Sequence, residues 1–257
     1  MASVQQFLPE FISIPAVPFL IGSKESELSA LANAYSGTRE SYREEAPQHT
    51  LHLPAFAIAQ TPVTNALYAA FVAATHTRPP ILWRGQMPPD HLLDHPVVDV
   101  SWEEARAFCT WLTIQFNEQS SSEPACVYRL PTEAEWEHAA RGSDGRRFPW
   151  GETWEQMRAN TREALLGGTR PVGSYITGAS SYGCLDMAGT IWEWTSSLDR
   201  LYPYDPYDGR EDPQAPGRRI LRGGCYANPH GYARCACRFR MPPGMHNEFL
   251  GFRVVRV

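Results

Sequence analysis

The sequence predicts an α+β fold with few helices, short strands and long loops. Three observations carry this reading. Pro (22) and Gly (19) are scattered along the 257 residues, and both interrupt regular elements. Only three stretches show apolar residues at helical spacing behind an N-capping side chain. Between them lie several short apolar runs of strand type. Eight Trp and 43% hydrophobic residues supply enough apolar surface for a sizeable core.

In chain order, Phe11–Ile21 (FISIPAVPFLI) alternates around Pro15 and Pro18 and reads as a strand or hairpin at a sheet edge, where a missing N–H is tolerated. Residues 24–45 are polar and read as a surface excursion. Leu51, Leu53, Phe56 and Ile58 resume a strand pattern. Thr64 caps a helix carrying Leu67, Tyr68, Phe71 and Val72. Residues 78–96, rich in Pro, His and Asp, read as a long loop. Ser101 with Glu104 forms a capping box, followed by the stripe Ala105, Phe108, Cys109, Leu112. Thr132 with Glu135 repeats the box ahead of Trp136, Ala139 and Ala140, and Gly142 sits where a C-cap is expected. Beyond Trp150, strands are expected at 171–175, 191–195, 219–222 and 252–257. No repeat, linker or composition break divides the chain. It reads as one domain over residues 1–257, with its core from about residue 11.

A net charge of −5 and a pI of about 5.9 give no basic stripe for nucleic acid. The late arginines are expected to pair with carboxylates inside the fold. No run approaches the ~20 apolar residues of a membrane span. The segment Met1–Glu10 lacks the pattern of a secretory signal. The expected setting is therefore cytoplasmic, without nucleic acid or membrane as partner. Six Cys in a chain of this size do not make a disulfide scaffold, and Cys109 reads as a core residue of its helix.

Eight phrases in order resemble one family: EAPQH (45–49), TPVTN (61–65), HPVVDVSW (95–102), RLPTEAEWE (129–137), FPWG (148–151), DMAGTIWEW (186–194), LRGG (221–224) and GFR (251–253). The set is similar to that of the formylglycine-generating enzymes, or sulfatase-modifying factors. The resemblance implies a C-type-lectin-like domain. The family includes oxidases that convert a sulfatase cysteine to formylglycine, iron enzymes that join sulfur to histidine derivatives, and ligand-binding proteins diversified by retroelements.

The resemblance also implies a test. The formylglycine-forming members carry two copper-binding cysteines after the Gly-Gly pair, and those places hold Asn228 and Ala233 here. Neither amide nor methyl replaces a thiolate at a soft metal. Cys225, Cys235, Cys237 and His230 lie nearby and define an alternative: a Cu- or Fe-dependent oxidoreductase using a shifted Cys/His cluster. Against it, Cys-x-Cys is not the usual zinc spacing, and buried thiols are the competing reading. A structural calcium is implied at Asp186, Gly189, Ile191 and Glu193, whose oxygens suit the ion. The competing reading pairs Glu193 with an arginine. A second family calcium position, at Asn160, is expected to be lost because the loop 161–169 is short.

The signature residues Trp136, Trp150, Trp192 and Trp194 read as core. Between the family-like frame residues Gly223, Gly224, Arg234, Arg238, Gly251 and Arg253, the segment 225–250 carries Tyr226, Asn228, His230, Tyr232, Phe239 and Met241. Mixed aromatic and polar side chains on a rigid frame suit an adaptable binding surface. The competing reading is a drifted surface loop. The function expected is non-catalytic binding of an unidentified protein or small ligand through the 225–250 face.

Overall fold

The computed structural model describes residues 8–119 and 125–257. Most of the opening segment read for a signal lies outside them. The three expected helices are present. β-Strand and helix labels below run in chain order.

The Phe11–Ile21 stretch divides at Pro15 into β1 (Phe11–Ile14) and β2 (Pro18–Ile21), which join different sheets. β2 pairs with β3 (His49–His52). β1 pairs with β4 (Phe56–Ala59). A helix (α1, Leu28–Tyr35) occupies the stretch expected to be a surface excursion. Leu28 and Leu31 bury one face of it against Tyr42 and Ala46. The spacing 28, 31, 35 is helical, but the surrounding polar residues mask it.

α2 (Asn65–Thr75) starts where Thr64 Oγ1 accepts the Leu67 amide at 3.3 Å. α3 (Trp102–Gln119) starts at a closed capping box: the Glu104 amide donates to Ser101 Oγ at 3.1 Å, and the Ser101 amide to Glu104 Oε2 at 2.9 Å. α4 (Glu133–Arg141) repeats the box at Thr132 and Glu135 and ends at Gly142. The stripe Ala105, Phe108, Cys109, Leu112 packs with Tyr68, Phe71 and Phe252 in the main core cluster.

The late strands are β6 (Trp192–Leu198), β7 (Arg219–Arg222), β8 (Phe239–Met241), β9 (Leu250–Gly251) and β10 (Val255–Arg256). With β5 (Tyr128–Arg129), they complete two four-stranded sheets ordered β1-β4-β10-β5 and β8-β7-β6-β9. Only β6 and β9 run parallel in the second sheet. Residues 171–175, expected as a strand, form a turn through Gly173 at φ 75°. Of 252–257, only Val255–Arg256 is strand. Every residue of β7 is buried, so no period-2 alternation marks it in the sequence. Among the described residues, no helix is long and apolar enough to cross a membrane.

Candidate binding cleft

Buried arginines hold the segment after β7. Arg222 lies between Glu137 (2.6 Å) and Glu133 (2.9 Å) of α4 and also donates to the Cys235 and Cys237 carbonyls. Arg234 grips Glu45 through two bonds of 2.7 and 2.8 Å. Arg238 does the same to Glu133 and adds the Glu44 carbonyl at 2.8 Å. Paired guanidinium and carboxylate forks tolerate burial because each satisfies the other's donors and acceptors. Gly224, at φ 73°, lets the chain pass so close that a Cβ would lie 2.8 Å from the Tyr232 carbonyl. Chain segments nearly 200 residues apart, Glu45 with Arg234 and Glu44 with Arg238, are thereby fixed side by side.

Between them opens a cleft of about 930 Å³. One wall comes from α1 and the turn after it, with Tyr35, Tyr42 and Glu44. The other carries His230, Tyr232 and Phe239. His230 is tightly posed. Its Nδ1 lies 2.8 Å from Glu163 Oε1, and its amide donates to the same oxygen at 3.1 Å. Its ring stacks on Trp154 (4.9 Å) and meets Tyr35 edge-on (5.5 Å). Burial works to raise the Glu163 pKa, but bonds from His230 and Thr161 outweigh it and hold the carboxyl down at about 2. Arg240 bridges Glu44 and Asp199 at the rim.

Trp192 organises the floor. Phe239 stacks on it at 5.2 Å, Tyr232 meets it edge-on at 6.3 Å, and its indole N–H donates to Asn228 Oδ1 at 2.8 Å. Of the six residues named from sequence, His230, Tyr232 and Phe239 line the cleft. Tyr232 is the most open of the three, 44% exposed. Asn228 lies beneath them. Met241 is half-buried against the main core. Tyr226 is half-buried and lies outside the cleft lining. Burial first, then the charge of Glu248, pushes its hydroxyl up to about 12. Sequence reasoning missed Tyr35, Tyr42, Glu44 and Glu163, which come from distant segments with no motif of their own.

Ala233 is buried, and Asn228 accepts a 3.1 Å bond from the Cys225 thiol besides the indole. Cys225, Cys235 and Cys237 are buried and unbridged. Burial pushes the Cys225 thiol up to about 11 and those of Cys235 and Cys237 up to about 12. Such thiols carry almost no thiolate at neutral pH, the form that attacks or binds metal.

The residues implied as calcium ligands share one tight turn. Asp186 Oδ2 accepts the Gly173 amide at 2.7 Å. The Gly189 carbonyl accepts the Ile191 amide at 2.8 Å across Thr190, which sits at φ 63°. Glu193 does not fit as a ligand. Its carboxylate is fully buried in two bonds to Arg253, 2.6 and 2.8 Å, and also takes the Trp136 indole N–H at 2.8 Å. A cation there would share a carboxylate already neutralised by a guanidinium. Asn160 keeps a buried Oδ1 with no hydrogen-bond partner, while its Nδ2 donates to the Gly168 carbonyl.

The domain pattern described as the sulfatase-modifying factor enzyme 1-like domain matches residues 1–257. The chain belongs to that family. It is 32% identical to the formylglycine-generating enzyme of Streptomyces coelicolor, over 81% of this chain and 80% of that one. It is 33% identical to the serine/threonine-protein kinase pkn1 of Chlamydia caviae, over 86% of this chain but only 36% of the kinase. The chain thus spans about a third of the length of that relative. Among solved structures, variable protein 1 of Treponema denticola superposes with a TM-score of 0.71 at 25% identity, covering 95% of this chain and 94% of that one. The fold of this family member is the C-type-lectin-like α+β domain expected from its motifs.

Proposed function

We propose that this family member is a non-catalytic binding domain that takes its ligand or protein partner in the cleft between α1 and the 229–240 segment. The observation carrying this reading is the pairing of an aromatic, partly open cleft with the loss of reactive groups at the two catalytic positions. His230, Tyr232 and Phe239 face the cleft, whereas Asn228 holds the Trp192 indole and Ala233 is buried. Aromatic anchors on a fixed frame supply contact area at low entropic cost. Likeness to a variable protein at nearly full coverage supports a binding role. Diversification of that surface by a retroelement is the finer form of the reading. It calls for a template copy of the last segment beside a reverse transcriptase.

The test uses immobilised protein. Wild type and Tyr232→Ser are exposed to the same lysate, and retained proteins and small molecules are identified by mass spectrometry. A ligand held by wild type, lost from Tyr232→Ser and bound again when purified supports the proposal. Equal retention by both overturns it.

A second reading is favoured by kinship with the formylglycine-generating enzyme: a copper- or iron-dependent oxidoreductase using displaced thiols, with Cys237 at the cleft. Stoichiometric metal in the isolated protein, together with conversion of a sulfatase-type Cys peptide, would establish it.

A further inference from the structure

A second cavity, of about 460 Å³, shares no lining residue with the cleft. It lies between α3, β5, β6 and the 211–213 loop. Its size falls within the range of small-molecule pockets, about 300–1,000 Å³. Trp102, Tyr128, Leu130 and Pro213 give it apolar walls.

Three charged residues line it, Arg106, Arg129 and Glu211. Arg129 is paired with Glu135 at 2.6 Å, and the other two are unusual for this chain. The buried carboxylates of Glu45, Glu133, Glu137 and Glu193 each face a guanidinium. Glu211 lines the cavity and has no ion pair among the described residues. It accepts only hydroxyls: Ser197 at 2.5 Å, Ser196 at 2.6 Å and Tyr204 at 2.6 Å. Burial accordingly raises its pKa against those bonds. The other end is short of negative charge. Arg106 lines the cavity over the Trp102 ring (4.7 Å), and its hydrogen bond goes to the Pro213 carbonyl at 3.3 Å. Arg219 lies buried over the same ring (4.1 Å) and donates only to carbonyls. Arg106 and Glu211 border one cavity without forming an ion pair with each other.

We infer that this cavity is a binding site for a small zwitterion of the amino-acid class, its ammonium on Glu211, its carboxylate on Arg106 and its apolar side chain against Trp102, Tyr128 and Leu130. Each charged group of such a ligand supplies the partner that one end lacks, and a buried charge gains most from a direct, hydrogen-bonded counter-ion. Neither a simple amine nor a simple acid satisfies both ends.

The test is titration calorimetry of the full chain with L-phenylalanine, L-leucine, 2-phenylethylamine (no carboxylate) and 3-phenylpropionate (no ammonium). The expected result is binding of an amino acid with Kd at or below about 1 mM, weakened at least about tenfold in either one-charge analogue, as loss of a charged hydrogen bond requires. Glu211→Gln should abolish the preference for L-phenylalanine over 3-phenylpropionate. Arg106→Ala, at a half-buried position and with its fold checked by thermal melting, should abolish the preference over 2-phenylethylamine. Absence of amino-acid binding at about 10 mM, ten times the expected Kd, overturns the inference. So does unchanged selectivity in Arg106→Ala.

Discussion

At the residue scale, two carboxylates show how neighbours decide chemistry. Glu163 is held at about pKa 2 by His230 and Thr161, below its ordinary value of 4.5. A depressed carboxyl pKa stabilises the fold above the unfolded pKa, and that stability is lost as pH falls toward the folded pKa. Glu163→Gln should therefore lower Tm at pH 7. The gap from wild type should close between about pH 4.5 and 2, as read from thermal melts across that range. A gap independent of pH would show that the ionised Glu163 does not stabilise the cleft. Glu193 is the contrasting case, fully buried against Arg253. Glu193→Gln leaves a buried guanidinium without its counter-charge and should cost about 3–5 kcal/mol by denaturant unfolding. Because that carboxylate already has its cation, chelator should leave the wild-type Tm unchanged. A fall in Tm with chelator, reversed by calcium, would restore the metal site to the DMAG turn.

At the element scale, α4 does more than fill the core. Its capping box sets the register that presents Glu133 and Glu137 to Arg222 and Arg238, and these arginines fix the segment bearing His230, Tyr232 and Phe239. Thr132→Ala should cost about 0.5–2 kcal/mol, the usual loss for an N-cap, and should also weaken ligand capture by the cleft. Stability loss with unaltered capture would separate the helix from the site. The strands are secondary in this respect. β8 contributes Phe239, but its position depends on Trp192 in β6 as much as on its pairing with β7.

At the scale of the whole molecule, the cysteines report on packing. All six are buried. A thiol reagent such as DTNB should find almost none in the native protein and six after unfolding, followed by absorbance. Prompt labelling of Cys225 or Cys237 in the native state would mean that the floor of the cleft opens and would strengthen the oxidoreductase reading. In the same frame, a sulfatase-type Cys peptide incubated with the protein and copper should return unaltered by mass spectrometry. Conversion over many turnovers would overturn the non-catalytic reading.

Local signals determined much of this protein. Capping boxes at Ser101 and Thr132 act over four residues, so they are legible without tertiary context, and both formed where expected. The ordered motifs identified the fold because eight phrases in one order are specific to one family, although what they build is tertiary, such as the buried pair of Glu193 and Arg253 sixty residues apart. The replaced positions Asn228 and Ala233 were legible by the same route. The tertiary structure alone decided what the motifs face. α1 was hidden because its stripe is only Leu28, Leu31 and Tyr35 in a polar segment, and its burial depends on Tyr42 and Ala46. The expected strand at 171–175 failed because Gly173 turns there, its amide held by the distant Asp186. The cleft was half-visible: one wall lies in 229–240, whereas Tyr35, Glu44 and Glu163 arrive from elsewhere in the chain. Sequence periodicity reports local packing, but a cleft is a contact between segments far apart, and buried arginine–carboxylate pairs of the folded chain help to bring its two walls together.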